Sequence, residues 1–116
     1  MNREYGDYIE DIIDSMNKAD KFIENMNYRD FIKDEKTIFA VVRALEIIGE
    51  AVKNIPDSVK EKYSGIPWRD IAGMRDKLIH EYFGVKLDVV WETVKAKIPE
   101  LKPKFQKYEI IAEWLE

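Results

Sequence analysis

One long apolar segment most constrains what this chain can fold into. Residues 37–54 read TIFAVVRALEIIGEAVKN and are apolar around most of the circumference of an α-helix. A helix of this kind has to be covered on several sides, so it belongs at the centre of a helical bundle. At about 100° per residue, however, Arg43, Glu46 and Glu50 fall on one narrow stripe, with Lys53 at its edge. The sequence therefore predicts a central helix that carries a charged stripe.

The rest of the chain shows helical spacing as well. The predicted helices are Asn2–Met26, a short turn around Tyr28–Ile32, a helix capped by Asp34, a short helix over 56–63, a helix from Trp68 to about Phe83 that Gly84 ends, a helix over 87–98, and a terminal helix Pro99–Glu116. No stretch alternates with a period of two for long enough to predict a strand. The predicted fold is an all-α bundle of four to five main helices with short extra helices, forming one domain over residues 1–116.

Composition narrows the function classes. The 116 residues are about enough for one ordinary domain, and the net charge of −4 provides no long-range positive field to attract nucleic acid. The absence of cysteine excludes disulfides, thiol nucleophiles and thiolate metal sites. No apolar run approaches the roughly 20 residues of a membrane span, and the N-terminus lacks a signal-peptide layout. We expect a cytoplasmic protein that does not span a membrane and uses neither a metal nor a cofactor.

Residues 74–84, MRDKLIHEYFG, contain the single histidine of the chain. On a helical projection, Arg75 and Tyr82 lie two turns apart near the middle of the apolar face. His80 lies about 140° around the helix from Arg75, on a flank that it shares with Asp76. Asp76 precedes His80 by four residues, so its carboxylate is placed to hydrogen-bond the imidazole and favour its charged form.

Each of these residues also has a structural interpretation. Burial of an unpaired guanidinium costs several kcal/mol, so Arg75 must find carboxylates or face a wet cleft, and Glu46 and Glu50 are the natural partners. Arg75 would then simply be an ion-pair partner between two helices. His80 would cap the dipole of its helix. The two could contact one phosphate if the arginine bends round its helix, if the helix loosens before Gly84, or if they come from different subunits of a symmetric dimer.

The string Arg75-x4-His80-x-Tyr82 resembles the Arg-x4-His-x-Tyr signature of HepT-like toxins in the HEPN (higher eukaryotes and prokaryotes nucleotide-binding) superfamily. The resemblance extends to three blocks in order, which are RALEIIGEAVKNIP (43–56), IPWRDIAGMRDKLIHEYFGV (66–85) and VVWETVKAKIPEL (89–101). Arg-x4-His by itself is a weak signal, whereas the three blocks together are specific and cover essentially the whole chain.

The resemblance implies a small all-helical RNase toxin that cleaves RNA without a metal at the cleft of a homodimer or higher oligomer. It implies a minimal nucleotidyltransferase antitoxin of the MntA type as partner. Carried over by position, Arg75 and His80 become the catalytic pair and Tyr82 becomes the adenylylated residue. Glu46 and Glu50 would orient Arg75, and Arg43 would add a phosphate contact.

Two positions depart from the family pattern. The residue after the arginine, often Asn, is Asp76 here, and an acid beside the phosphate site could weaken RNA binding. The helix that starts near Leu87 is preceded by Lys86, where relatives often carry an acidic cap.

Two other functions have to be compared with this one. The chain could be a non-catalytic helical module that binds a nucleotidyltransferase, which Asp76 and the acidic net charge favour slightly. A helical metal-carboxylate protein would need Glu-x-x-His pairs on two helices, which a chain with one histidine cannot supply.

Overall fold

The computed structural model describes residues 5–80 and 86–115, with side chains for residues 5–78 and 86–108. The helices are α1 Tyr5–Phe22, α2 Tyr28–Lys33, α3 Glu35–Asn54, α4 Asp57–Lys62, α5 Trp68–His80, α6 Leu87–Glu92, a π-helical segment Thr93–Lys97, and α7 Ile98–Leu115. Within these ranges every regular element is helical. The predicted all-α bundle is confirmed.

Helix α3 lies at the centre of the bundle, as its apolar circumference predicted. It packs along α1 on one side and along α5 on another, and α1 also contacts α7. Its buried side chains include Val41, Leu45, Ile48 and Val52. Because α3 is covered from several directions, its position fixes where α5 and the arginine of the motif can lie.

Local backbone geometry and capping set the end of α1 and the start of α3. Helix α1 ends at Phe22 rather than at Met26, because Asn25 adopts the left-handed conformation with φ of 64°, which an α-helix cannot continue. The predicted cap Asp34 is confirmed, since its Oδ1 accepts a hydrogen bond of 3.0 Å from the Thr37 backbone N–H. The predicted stop at Gly84 lies outside the described residues.

The two predicted C-terminal helices form one continuous helical stretch instead of separating before Pro99. The turns before this proline widen into the π-helical segment, where the backbone N–H of Ile98 donates to the carbonyl of Thr93. Pro99 has no N–H to close an ordinary helical bond to Lys95, so this stretch cannot keep a regular α-helical ladder. The sequence pattern missed this continuity because it treated the proline as a helix start.

Aromatic contacts anchor the N-terminal end of α5. The Trp68 ring packs edge-on against Phe105 of α7 at 5.6 Å between centroids, and its indole N–H donates to the Tyr63 carbonyl at 3.0 Å. Tyr63 in turn packs against Tyr108 at 3.9 Å. These contacts hold the start of α5 against α7 and the segment that precedes it.

None of the helices in the described ranges has the length and apolar character needed to cross a bilayer.

The crossing of α3 and α5 depends on Gly49. A Cβ added at this position would overlap the Cβ of Arg75 and would lie 2.7 Å from its Cγ and 3.2 Å from its Cα. Carbon atoms prefer about 3.5–4.0 Å, so only a glycine allows this approach without movement of a backbone. The contact joins the C-terminal half of the central helix to the arginine of the motif.

Substitution of Gly49 by Ala should therefore destabilise the protein although alanine favours helices. Overpacking typically costs about 1–3 kcal/mol, and an overlap of two Cβ atoms belongs at the upper end of that range, above the gain in helix propensity of about 1 kcal/mol. Urea denaturation followed by circular dichroism measures the change in the free energy of unfolding.

Gly73→Ala on α5 is the matched control, because a Cβ there meets no atom within 4 Å of the described structure. This variant should be as stable as the parent or more stable. If Gly49→Ala and Gly73→Ala stabilised the protein equally, the close helix crossing would be wrong.

Candidate active site

Arg75 lies at the α3–α5 crossing with its side chain largely covered. The side chain is 25% exposed, and Nη1 donates to Oδ1 of Asp76 at 3.2 Å. Its Nε is buried and has no hydrogen-bond partner among the described residues. A guanidinium carries five N–H donors, so Arg75 keeps donors for an anionic ligand while one nitrogen holds the neighbouring carboxylate.

Asp76 accepts from two cations through the same oxygen. Besides Arg75, Lys53 of α3 approaches Oδ1 of Asp76 with its Nζ at 2.5 Å. The hydrogen bond from Lys53, with a second from Arg75, lowers the pKa of the Asp76 carboxyl below its ordinary value. Asp76 is therefore a carboxylate near neutral pH, and the three side chains together carry one net positive charge.

The carboxylates expected to hold Arg75 take other positions. Glu46 accepts from Arg43 at 3.3 Å on the same helix. Arg43 and Glu50 line an open pocket of about 210 Å³ between residues of α1 and α3. Arg75 pairs instead with Asp76, because Gly49 brings the stem of the arginine against α3 and the guanidinium extends toward the adjacent carboxylate. Within the described residues, the structure does not join Arg75 to Glu46 or Glu50.

The other two motif residues fall at the edge of what the structure describes. Helix α5 continues to His80, so the backbone places this residue about 140° around the helix from Arg75 and near the flank of Asp76. The His80 side chain and all of Tyr82 lie outside the described residues. The hydrogen bond to Asp76 places the Arg75 guanidinium toward that same flank. This direction agrees with an arginine that bends round its own helix to reach a phosphate beside His80.

A larger groove of about 760 Å³ lies on the opposite flank of α5. Its walls include Met74 and Lys77 of α5 and Val89 of α6, and Arg75 does not line it. Size alone would favour this groove as a ligand site. The cluster of Arg75, Asp76 and Lys53 is the better candidate, because it brings titratable groups from two helices together and perturbs a pKa.

Two residues that shape the site, Lys53 and Gly49, were not predicted from the sequence. Lys53 was noted only as a residue at the edge of the charged stripe. Its partner Asp76 is 23 residues away in the chain, so no local pattern connects the two. Gly49 carried a signal that could have been used, because a glycine inside an apolar helix often marks a close approach of another backbone.

The shared oxygen of Asp76 leads to a testable pH dependence. Since the folded-state pKa is depressed, the ionised carboxylate contributes stability that is complete above its unfolded pKa of about 3.9 and is lost as the pH falls through the folded pKa. Lys53→Met should move the Asp76 pKa back toward its ordinary value, as measured by carboxyl-carbon NMR titration.

The matched control is Lys18→Met, which removes an exposed lysine paired with Asp14 on α1 at 2.9 Å. It should leave the Asp76 pKa unchanged. An Asp76 pKa that is the same in the parent and in Lys53→Met would rule out the ion pair.

Comparisons with known proteins agree on one family. Residues 12–108 match the family model described as "Ribonuclease HepT-like". A protein named "Probable ribonuclease HepT" from Thermococcus cleftensis is 54% identical over 107 residues, which cover 92% of this chain and 97% of that protein. One named "Putative RNase MJ1216" from Methanocaldococcus jannaschii is 52% identical over 100 residues, or 86% of this chain and 83% of the relative.

No solved structure matches the chain. The family match covers α3, α5 and the cluster of Arg75, Asp76 and Lys53. The chain therefore belongs to the HepT-like ribonuclease family, as its motif blocks predicted.

Proposed function

We propose that this protein is a metal-independent endoribonuclease toxin that cleaves RNA at the cleft of a homodimer in the cytoplasm. Arg75 and His80 are its catalytic pair, and the whole chain forms one domain of this type. The observation that carries the proposal is the placement of Arg75, which Gly49 holds at its stem and Asp76 holds at one nitrogen. Membership of a ribonuclease family supports RNA as the substrate.

The proposed reaction uses the nucleophile that RNA itself carries. His80 removes the proton of the 2′-hydroxyl, and the resulting oxygen attacks the adjacent phosphorus. Arg75 stabilises the negative charge that develops on the non-bridging oxygens of the phosphorane. The bond to the 5′-oxygen then breaks, and this oxygen takes a proton, leaving a 2′,3′-cyclic phosphate and a free 5′-hydroxyl. Histidine suits the proton transfers because its ordinary pKa is near neutrality.

A symmetric dimer would supply the second proton-transfer group. One His80 can act as base and its counterpart in the partner subunit as acid, so a chain with one histidine can serve both steps. The continuous helix from Arg75 to His80 offers no unwound turn between the two residues. This leaves the bent arginine and the second subunit as the ways in which both groups could reach one phosphate.

Arg75→Ala and His80→Ala should each reduce RNA cleavage by about 100-fold or more, within the ranges typical of lost charge stabilisation and lost acid–base catalysis. Single-turnover cleavage of a fluorescent RNA measures the rate. Lys18→Met, on the far helix α1, should cleave at the parent rate.

The same assay tests metal independence. EDTA should leave the parent rate unchanged. Loss of activity in EDTA with recovery on addition of Mg²⁺ would overturn the proposed mechanism. Full activity of His80→Ala would show that His80 is not the general base.

We further propose that an antitoxin of the minimal nucleotidyltransferase type neutralises the enzyme by adenylylation of Tyr82. The tyrosine oxygen would attack the α-phosphorus of ATP and release pyrophosphate, which leaves AMP in a phosphodiester bond. Tyr82 follows Arg75 by two helical turns in the sequence, so the added anion would be placed to pair with the guanidinium and occupy the cleft.

Modification of Tyr82 should therefore abolish cleavage, whereas Tyr82→Phe should resist modification and stay active in the presence of the antitoxin. Mass spectrometry identifies the adduct, and the fluorescent RNA assay gives the rate of the modified protein. A stoichiometric adduct on Tyr82 that left cleavage at the parent rate would refute this part of the proposal.

One observation favours a second candidate, a non-catalytic module that binds a nucleotidyltransferase. Asp76 places a carboxylate 3.2 Å from Arg75, and a carboxylate there competes with a phosphate for the guanidinium. Lys53 offsets this competition, because it neutralises the same oxygen. Parent protein that binds the nucleotidyltransferase but cleaves no RNA would favour the second candidate.

A further inference from the structure

We propose that Lys53 is a positioning residue for Arg75 and acts through the Asp76 carboxylate. The inference rests on the proposed function for the reaction that the positioned guanidinium serves. Lys53 comes from α3, whereas Asp76 and Arg75 come from α5, so the contact ties the two helices together at the motif.

The geometry restrains Arg75 at both ends of its side chain. At the stem, Gly49 of α3 lies so close to the arginine that a Cβ added there would collide with its Cβ and Cγ atoms. At the tip, Nη1 binds Oδ1 of Asp76. Lys53 lies one helical turn beyond Gly49 and holds that same oxygen, so a single stretch of α3 sets both restraints. A free arginine side chain samples many rotamers, and restraint at both ends lowers the conformational entropy that it loses on binding a phosphate.

The charges give Lys53 a second effect. With Lys53 present, two cations share one carboxylate, and the cluster retains one positive charge. Without Lys53, Arg75 would be the sole described partner of Asp76, and the pair would be neutral. The carboxylate would then compete more strongly with the substrate phosphate for the guanidinium. Lys53 is 40% exposed and Asp76 43% exposed, so solvent can reach this pair and salt should weaken the effect.

This arrangement makes a specific prediction about a pair of substitutions. Lys53→Met keeps most of the side-chain stem and removes the charge. It should lower kcat about 10-fold or more with little change in KM, because Arg75 stabilises the transition state rather than the bound substrate. Lys53→Arg should restore the rate.

Asp76→Asn in the Lys53→Met background separates positioning from direct contact with RNA. The amide oxygen still accepts from Arg75 but no longer neutralises it, so the double variant should recover most of the lost rate. If Lys53 itself contacted RNA, its removal would mainly raise KM and reduce the salt dependence of binding, and Asp76→Asn would not restore activity.

A readout independent of cleavage completes the experiment. The Nε–Hε resonance of Arg75 in ¹⁵N NMR should shift or broaden in Lys53→Met, and Lys18→Met should leave it unchanged. If the parent cleaves no RNA, the proposed function fails, and this resonance still decides whether Lys53 positions Arg75. Lys53→Met with parental kinetics and an unchanged Arg75 resonance, or a double variant as slow as Lys53→Met, would overturn the inference.

Discussion

The close contact between Gly49 and Arg75 is the constraint on which the site depends. Because Gly49 has no Cβ, the backbones of α3 and α5 can approach each other closely at the position where the motif arginine leaves its helix. At this crossing the Arg75 side chain is three quarters covered, and Lys53, one turn further along α3, lies beside Asp76. Helix packing and site geometry are therefore set by the same contact.

Partial burial of a guanidinium has an electrostatic cost that the cluster has to offset. Asp76 supplies the countercharge, and Lys53 prevents that countercharge from neutralising the arginine completely. The result is a cation with restricted movement and unused donors, which is what a group that stabilises a transient phosphorane requires. An acidic residue at position 76 is thus compatible with a phosphate site, because a lysine from another helix accompanies it.

The sequence alone predicted the bundle and its central helix, because apolar periodicity in helices as long as α1 and α3 reports burial directly. It also predicted the Asp34 cap from local chemistry. It placed Arg75 correctly on the buried side of α5 but assigned it the wrong countercharge. Glu46 and Glu50 had been expected on the basis of helix phase alone, which carries no information on how two helices cross. The ion pair of Lys53 with Asp76 depends on that crossing, so no local pattern could reveal it.

Membership of the HepT-like ribonuclease family and the geometry of Arg75 lead to the same central claim, namely that this guanidinium binds the scissile phosphate. A crystal structure of the protein with an RNA whose 2′-hydroxyl at the cleavage position is replaced by hydrogen would test the claim most directly. We expect a phosphate within hydrogen-bond distance of Arg75, with Asp76 still bound to Lys53. RNA bound along the groove on the opposite flank of α5, with Arg75 contacting only Asp76, would contradict it.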